Sequence, residues 1–82
     1  MSYTPDLVAE LEILRQYDLD NHLAGLKVHH DADQGTIAAT RRLHDKGLLS
    51  QPDGGYLTSL GRDAAEHAQA LLTILRTADR AG

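Results

Sequence analysis

Cysteine, phenylalanine and tryptophan are all missing from this chain. Without cysteine there is no disulfide and no thiolate metal site, so a zinc knuckle or a redox pair is excluded. With three Tyr as the only aromatics, a core must be assembled from Leu, Ile, Val and Ala. Such a core is thin for 82 residues, a length near the lower limit for a self-sufficient domain. Chains of this kind often gain stability by pairing with a copy of themselves. No apolar run approaches the ~20 residues of a membrane-spanning helix. No basic segment followed by an apolar one opens the sequence either. A cytoplasmic protein without membrane contact is the expectation. Repeats, low-complexity tracts and linkers are lacking too, so residues 1–82 are expected to form a single domain.

Positive charge is also scarce. The net charge of −4 argues against loose electrostatic attachment to nucleic acid. Its distribution is uneven: residues 1–26 carry −4, residues 27–62 carry +1 and residues 63–82 carry −1. The least acidic third is the one in which the informative motifs fall, although it is not a basic patch.

Those motifs run from Gln34 to Gly61. A helix is predicted over about 32–46, with Asp31 as N-cap, Gln34 completing a capping-box spacing, and Gly47 as a left-handed stop beside Lys46. At about 100° per residue, Thr36, Thr40, Leu43 and Gly47 share one side, flanked by Ile37 and His44. Gln34, Ala38, Arg41, Arg42 and Asp45 fall on the other, which faces water or a partner. A hairpin follows: Leu48-Leu49, the turn residues Pro52-Asp53-Gly54-Gly55, then Tyr56-Leu57. Thr58 is the predicted N-cap of a last helix, about 59–77.

The string Lys46-Gly47-Leu48-Leu49, the hairpin, and Leu57-Thr58-Ser59-Leu60-Gly61 resemble the wing of MarR-type and PadR-type winged-helix regulators. In that family the recognition helix ends in K-G-L-[LVI], and L-T-x-x-G opens the next helix. The resemblance covers about half of the chain. It implies a mainly α fold with a small β-hairpin: three to four helices plus a short two-stranded wing, with a DNA-binding helix-turn-helix. The chain as a whole is similar to a family of short, uncharacterised bacterial proteins, some loosely labelled DNA-binding. In the winged-helix family a turn of the form L-G-[VI]-[ST] precedes the recognition helix. Here His29-His30-Asp31-Ala32 stands near its place.

Before this region, Thr4-Pro5 opens a first helix with Thr at the N-cap and Pro at the first helical position. Leu7, Leu11 and Leu14, flanked by Val8, are its predicted core stripe, while Ile13 and Tyr17 lie off it. Met1 to Tyr3 are expected to fray. Asp18-Leu19-Asp20-Asn21 breaks the helix. A short helix near 20–26 and then an extended piece are expected, although Gly25 and Val28 oppose helix. In the last helix Ala64, Ala68, Leu71, Leu75 and Ala78 alternate at four and three residues, a heptad-like seam suited to a homodimer.

The sharpest functional candidates are Arg41 and Arg42, since Arg holds a guanine edge or a phosphate with a planar fork. Gln34 suits an adenine edge, Ala38 allows close approach or a thymine methyl, and Lys46 and Arg62 suit backbone phosphates. The bland alternative is a solvated helix face on which Arg41 or Arg42 pairs with Asp45. The wing tip, with one acid and no base, offers DNA little. His29-His30 beside Asp31 and Asp33 are a weak metal set, better read as surface and capping residues whose titration modulates local charge. No metal or cofactor is expected. Enzymatic chemistry has no support: Gly54-Gly55 lies in a hairpin turn rather than a phosphate loop, and no Ser sits in a nucleophile elbow. Two functions stay open. One is a DNA-binding transcriptional regulator or nucleoid-associated factor, and the other is a protein-protein interaction module on the same fold.

Overall fold

Helix α1 (Pro5–Arg15) begins where Thr4 and Pro5 predict, with Thr4 Oγ1 accepting from the Leu7 N–H at 3.1 Å. The computed structural model describes residues 2–81, with side chains as far as Thr77. Met1, and the side chain of Ala78 in the expected seam, lie outside what is described. The helix presents a different face from the expected one. Glu10, Ile13, Leu14 and Tyr17 are buried, whereas Leu7, Val8 and Leu11 are exposed. Leu14 alone of the expected stripe is buried; Glu10, whose carboxylate is tied to the next helix, turns Leu7 and Leu11 outward.

No helix forms over 20–26. Asp18 Oδ1 accepts from the Asp20 N–H at 3.0 Å, and Asn21 Oδ1 accepts from the Leu23 N–H at 3.0 Å. These side chains offer the backbone turns in place of a helical ladder. Leu23 is consequently exposed, whereas Leu19 before this segment and Leu26 at its end pack on the core. An extended piece follows, as expected, and becomes strand β1 (Leu26–Lys27).

Helix α2 (Gln34–Asp45) buries Ala39, Thr40 and Leu43. Its N-cap is Asp33 rather than Asp31: Asp33 Oδ2 accepts from the Thr36 N–H at 3.2 Å. Gly47 terminates it as predicted, at φ 85°, and the Leu48 N–H reaches back to the Leu43 carbonyl at 2.9 Å. The hairpin then forms from β2 (Leu49–Gln51) and β3 (Gly54–Leu57), and β1 adds a third strand to it in the order β1-β3-β2, all antiparallel. Gly54 therefore lies in a central strand, at φ 126°, where a Cβ would sit 2.3 Å from the Leu26 carbonyl oxygen. Only glycine fits there.

Helix α3 (Ser59–Ala81) runs four residues beyond its predicted end. Thr58 caps it: its Oγ1 accepts from the Gly61 N–H at 3.0 Å and donates to the Gly47 carbonyl at 2.6 Å. Gly61 lets the helix start lie against the hairpin base, because a Cβ there would fall 1.9 Å from the Leu48 oxygen. Among the described residues the architecture is three helices and a three-stranded antiparallel sheet, a winged-helix-like arrangement. Ile13, Leu14, Tyr17, Ala39, Leu43, Leu49, Ala65 and Ala68 form the core. Ala68 of the expected seam thus belongs to the monomer's own core, and Ala64 packs against it. Leu71, Ile74 and Leu75 remain 49%, 64% and 51% exposed.

Polar side chains complete what the small core leaves open. Gln69 Nε2 of α3 donates to the Leu14 and Tyr17 carbonyls at 3.1 and 2.8 Å, satisfying the open C-terminus of α1. The Tyr17 hydroxyl donates to the Gly55 carbonyl at 3.1 Å, joining the end of α1 to β3. Burial pushes the Tyr17 phenol from 10.0 up to about 12. The folded state thus favours the protonated phenol, and that contribution is complete below pH 10 and lost as pH rises from 10 to about 12. Tyr17→Phe should cost about 0.5–1.5 kcal/mol at neutral pH and abolish the alkaline loss over that window. Denaturant titrations at neutral and alkaline pH check this, and an unchanged alkaline transition in the variant would contradict it.

Candidate functional site

Helix α2 leaves one polar stripe open to solvent. Gln34, Ala38 and Arg41, spaced by four and three residues, are exposed along one stripe. Arg41 makes no hydrogen bond or ion pair to any described residue. Arg42, one residue on and about 100° around the helix, points the other way, into the contact with α1. Its Nε donates to Glu10 Oε2 at 2.9 Å, and its Nη2 donates to the Asp6 carbonyl at 3.2 Å. The Lys46 ammonium donates to Glu10 Oε1. Two of the cations expected on the free face therefore brace α2 against α1. Neither arginine pairs with Asp45, whose carboxylate lies 3.7 Å from His44 Nδ1.

Arg62 is occupied as well. Its Nη1 donates to the Leu19 carbonyl at 3.0 Å, and its Nη2 lies 3.0 Å from His22 Nδ1. It pins the irregular 16–25 segment to the start of α3. At the wing tip Asp53 faces Lys27 across 3.5 Å. The six candidates thus separate: Gln34, Ala38 and Arg41 stand together, whereas Arg42, Lys46 and Arg62 each hold two parts of the chain in place.

Beside the free stripe lies a cavity of about 560 Å³. Its walls come from α2 (Ile37, Thr40, Arg41), from Lys27 to His30, and from Pro52-Asp53 at the wing turn. Lys27 was not legible as a site residue, because a lone lysine in a two-residue strand carries no sequence signal. The His29-His30 pair was legible only as a weak metal set. Among the described residues no group of three His, Asp or Glu converges on a metal position.

One family model matches residues 1–76, and its description is a family of unknown function, DUF5669. The chain belongs to that family. Its match runs from the start of the chain into the second half of α3, so the Glu10–Arg42–Lys46 contacts, the sheet and the cavity all lie inside it. No curated protein and no solved structure gives a significant match. Among the described residues no helix is long and apolar enough to cross a membrane.

Glu10 was missed by sequence reasoning, although its spacing to Ile13, Leu14 and Tyr17 places it on one helix face with them. Burial raises its pKa, but the hydrogen bonds and charges of Lys46 and Arg42 outweigh that, so its pKa falls below its ordinary value of 4.5. A carboxylate with a lowered folded pKa stabilises the fold above its unfolded value, and that stability is lost as pH falls from about 4.5 through the lowered value. Glu10→Gln should flatten this acid loss. Removing both cations together should destabilise by about 1–3 kcal/mol or more, since it strands a buried carboxylate. Chemical denaturation at neutral and acid pH tests both. A cation double variant as stable as the native chain would show that the cluster does not hold the helices.

Proposed function

We propose that this chain is a small, cytoplasmic winged-helix protein that binds duplex DNA as a homodimer, acting as a transcriptional regulator or nucleoid-associated factor. The observation that carries this reading is the exposed Gln34–Ala38–Arg41 stripe beside the wing, with Arg41 unpartnered among the described residues. Such a stripe suits insertion into a major groove: Arg41 for a guanine edge or phosphate, Gln34 for an adenine edge, Ala38 for a thymine methyl. Lys27 supplies a further positive charge on the same side, with His29 and His30 beside it as hydrogen-bonding groups. The exposed Leu71, Ile74 and Leu75 support pairing with a second copy along α3, which sets the spacing of two half-sites. Arg42, Lys46 and Arg62 have no direct DNA role in this reading.

Arg41→Ala should weaken duplex binding by about 1–3 kcal/mol, and if Arg41 holds a phosphate it should reduce the salt slope by about one. Arg62→Ala should act only through stability. Fluorescence anisotropy with labelled duplex at several salt concentrations measures both. An unchanged affinity in the folded Arg41→Ala variant would sink the reading.

A second reading, a protein-protein interaction module on the same fold, is favoured by the internal use of those three cations and by the exposed apolar residues of α1 and α3. Apolar association persists in high salt, whereas phosphate contacts fade. Homodimerisation is tested by sedimentation. Leu71→Glu combined with Leu75→Glu should yield a monomer of unchanged helical content, and a native chain that sediments as a monomer throughout the micromolar range would exclude the dimer.

A further inference from the structure

The cavity beside α2 groups cationic and titratable side chains whose joint placement dimer formation does not use. Two stretches bring cationic or titratable groups to it: Arg41 from α2, and Lys27, His29 and His30 from β1 and the loop after it. The chain is otherwise acidic, with a net charge of −4. Most of its described cations elsewhere are spent internally: Arg15 on Glu12, Arg42 and Lys46 on Glu10, Arg62 on Leu19 and His22. Here Asp53 is the only carboxylate in the wall, and Lys27 shares it at 3.5 Å. Arg41 and both imidazoles have no hydrogen-bond partner among the described residues.

We propose that this cavity binds the phosphate group of a small phosphomonoester, with Arg41 as its anchor. A planar carboxylate is satisfied by one guanidinium fork. A phosphomonoester carries about −1.5 to −2 charge and three strong acceptor oxygens, which calls for several donors, as Arg41, Lys27 and the two imidazoles together supply. The volume of about 560 Å³ falls in the range of small-molecule sites, roughly 300–1,000 Å³. It therefore holds more than the phosphate alone, and the body of the ligand rests on Val28, Ile37 and Pro52. A flat body also has the two imidazoles to stack on. The same oxyanion chemistry is available from a DNA backbone phosphate, so the two sources are separated by experiment. The proposal shares Arg41 with the DNA reading but does not rest on it.

The test is isothermal calorimetry of the full chain with inorganic phosphate, with adenosine 5′-monophosphate and with a duplex, against sodium chloride at matched ionic strength. The Cε1 proton resonances of all five histidines are followed in parallel. Saturable binding of both monophosphates at millimolar concentration or below is expected, the nucleotide tighter, with His29 and His30 shifting and the other histidines unmoved. Arg41→Gln, which removes no intramolecular bond, should weaken it at least tenfold with the fold intact. Three results would overturn the proposal: no saturable heat beyond the chloride control, equal affinity in Arg41→Gln, or equal shifts at His22, His44 and His67. Duplex binding without monophosphate binding would assign the chemistry to the DNA backbone and likewise reject it. Monophosphate binding without duplex binding would uphold the cavity while the DNA reading fell.

Discussion

The buried carboxylate of Glu10 sets the rotation of two helices at once. By accepting from Arg42 and Lys46 it turns one side of α1 and one side of α2 toward each other. Leu7, Val8 and Leu11 are thereby sent outward, and so are Gln34, Ala38 and Arg41. What the protein can present to a partner is thus decided by an internal ion cluster. A buried charge is costly unless paired and hydrogen-bonded, and both Glu10 oxygens are engaged, so the alternative rotations are disfavoured.

Elsewhere the same economy of apolar material recurs. With no Phe or Trp, the core is closed by polar side chains reaching backbone carbonyls. Gln69 caps the end of α1, Tyr17 ties it to β3, Thr40 turns its hydroxyl back to the Thr36 carbonyl at 2.7 Å, and Arg62 fastens the irregular segment. These contacts are directional, and they fix register where a small core of alanines and leucines would allow slippage. Leu60, Leu71, Ile74 and Leu75 of α3 lie outside this network and stay exposed.

The parts legible in the sequence are those governed by the backbone. Thr4, Gly47 and Thr58 act through capping or positive φ, and each of these needs a particular residue type at a particular place. The hairpin was legible for the same reason, although the glycines after Pro52-Asp53 turned out to lie in a central strand because β1 pairs beside them. The failures have other causes. The α1 face was misread because leucine spacing ignores a charged residue that finds partners far along the chain. The 20–26 helix was misread because Asp18 and Asn21 offer local turns that compete with it. Of the candidate site, Arg41 was legible as a free cation. That its neighbour Arg42 is spoken for depends on Glu10, 32 residues away in sequence.

The proposed DNA contact depends on the stripe of α2 that the Glu10 cluster leaves outward. An amide NMR titration with a mixed-sequence duplex at low salt tests it most directly. Shifts confined to Gln34, Ala38, Arg41 and the neighbouring 27–30 stretch, fading as salt rises, are predicted. An absence of shifts at millimolar duplex, or shifts centred on the exposed leucines of α1 and α3, would contradict it.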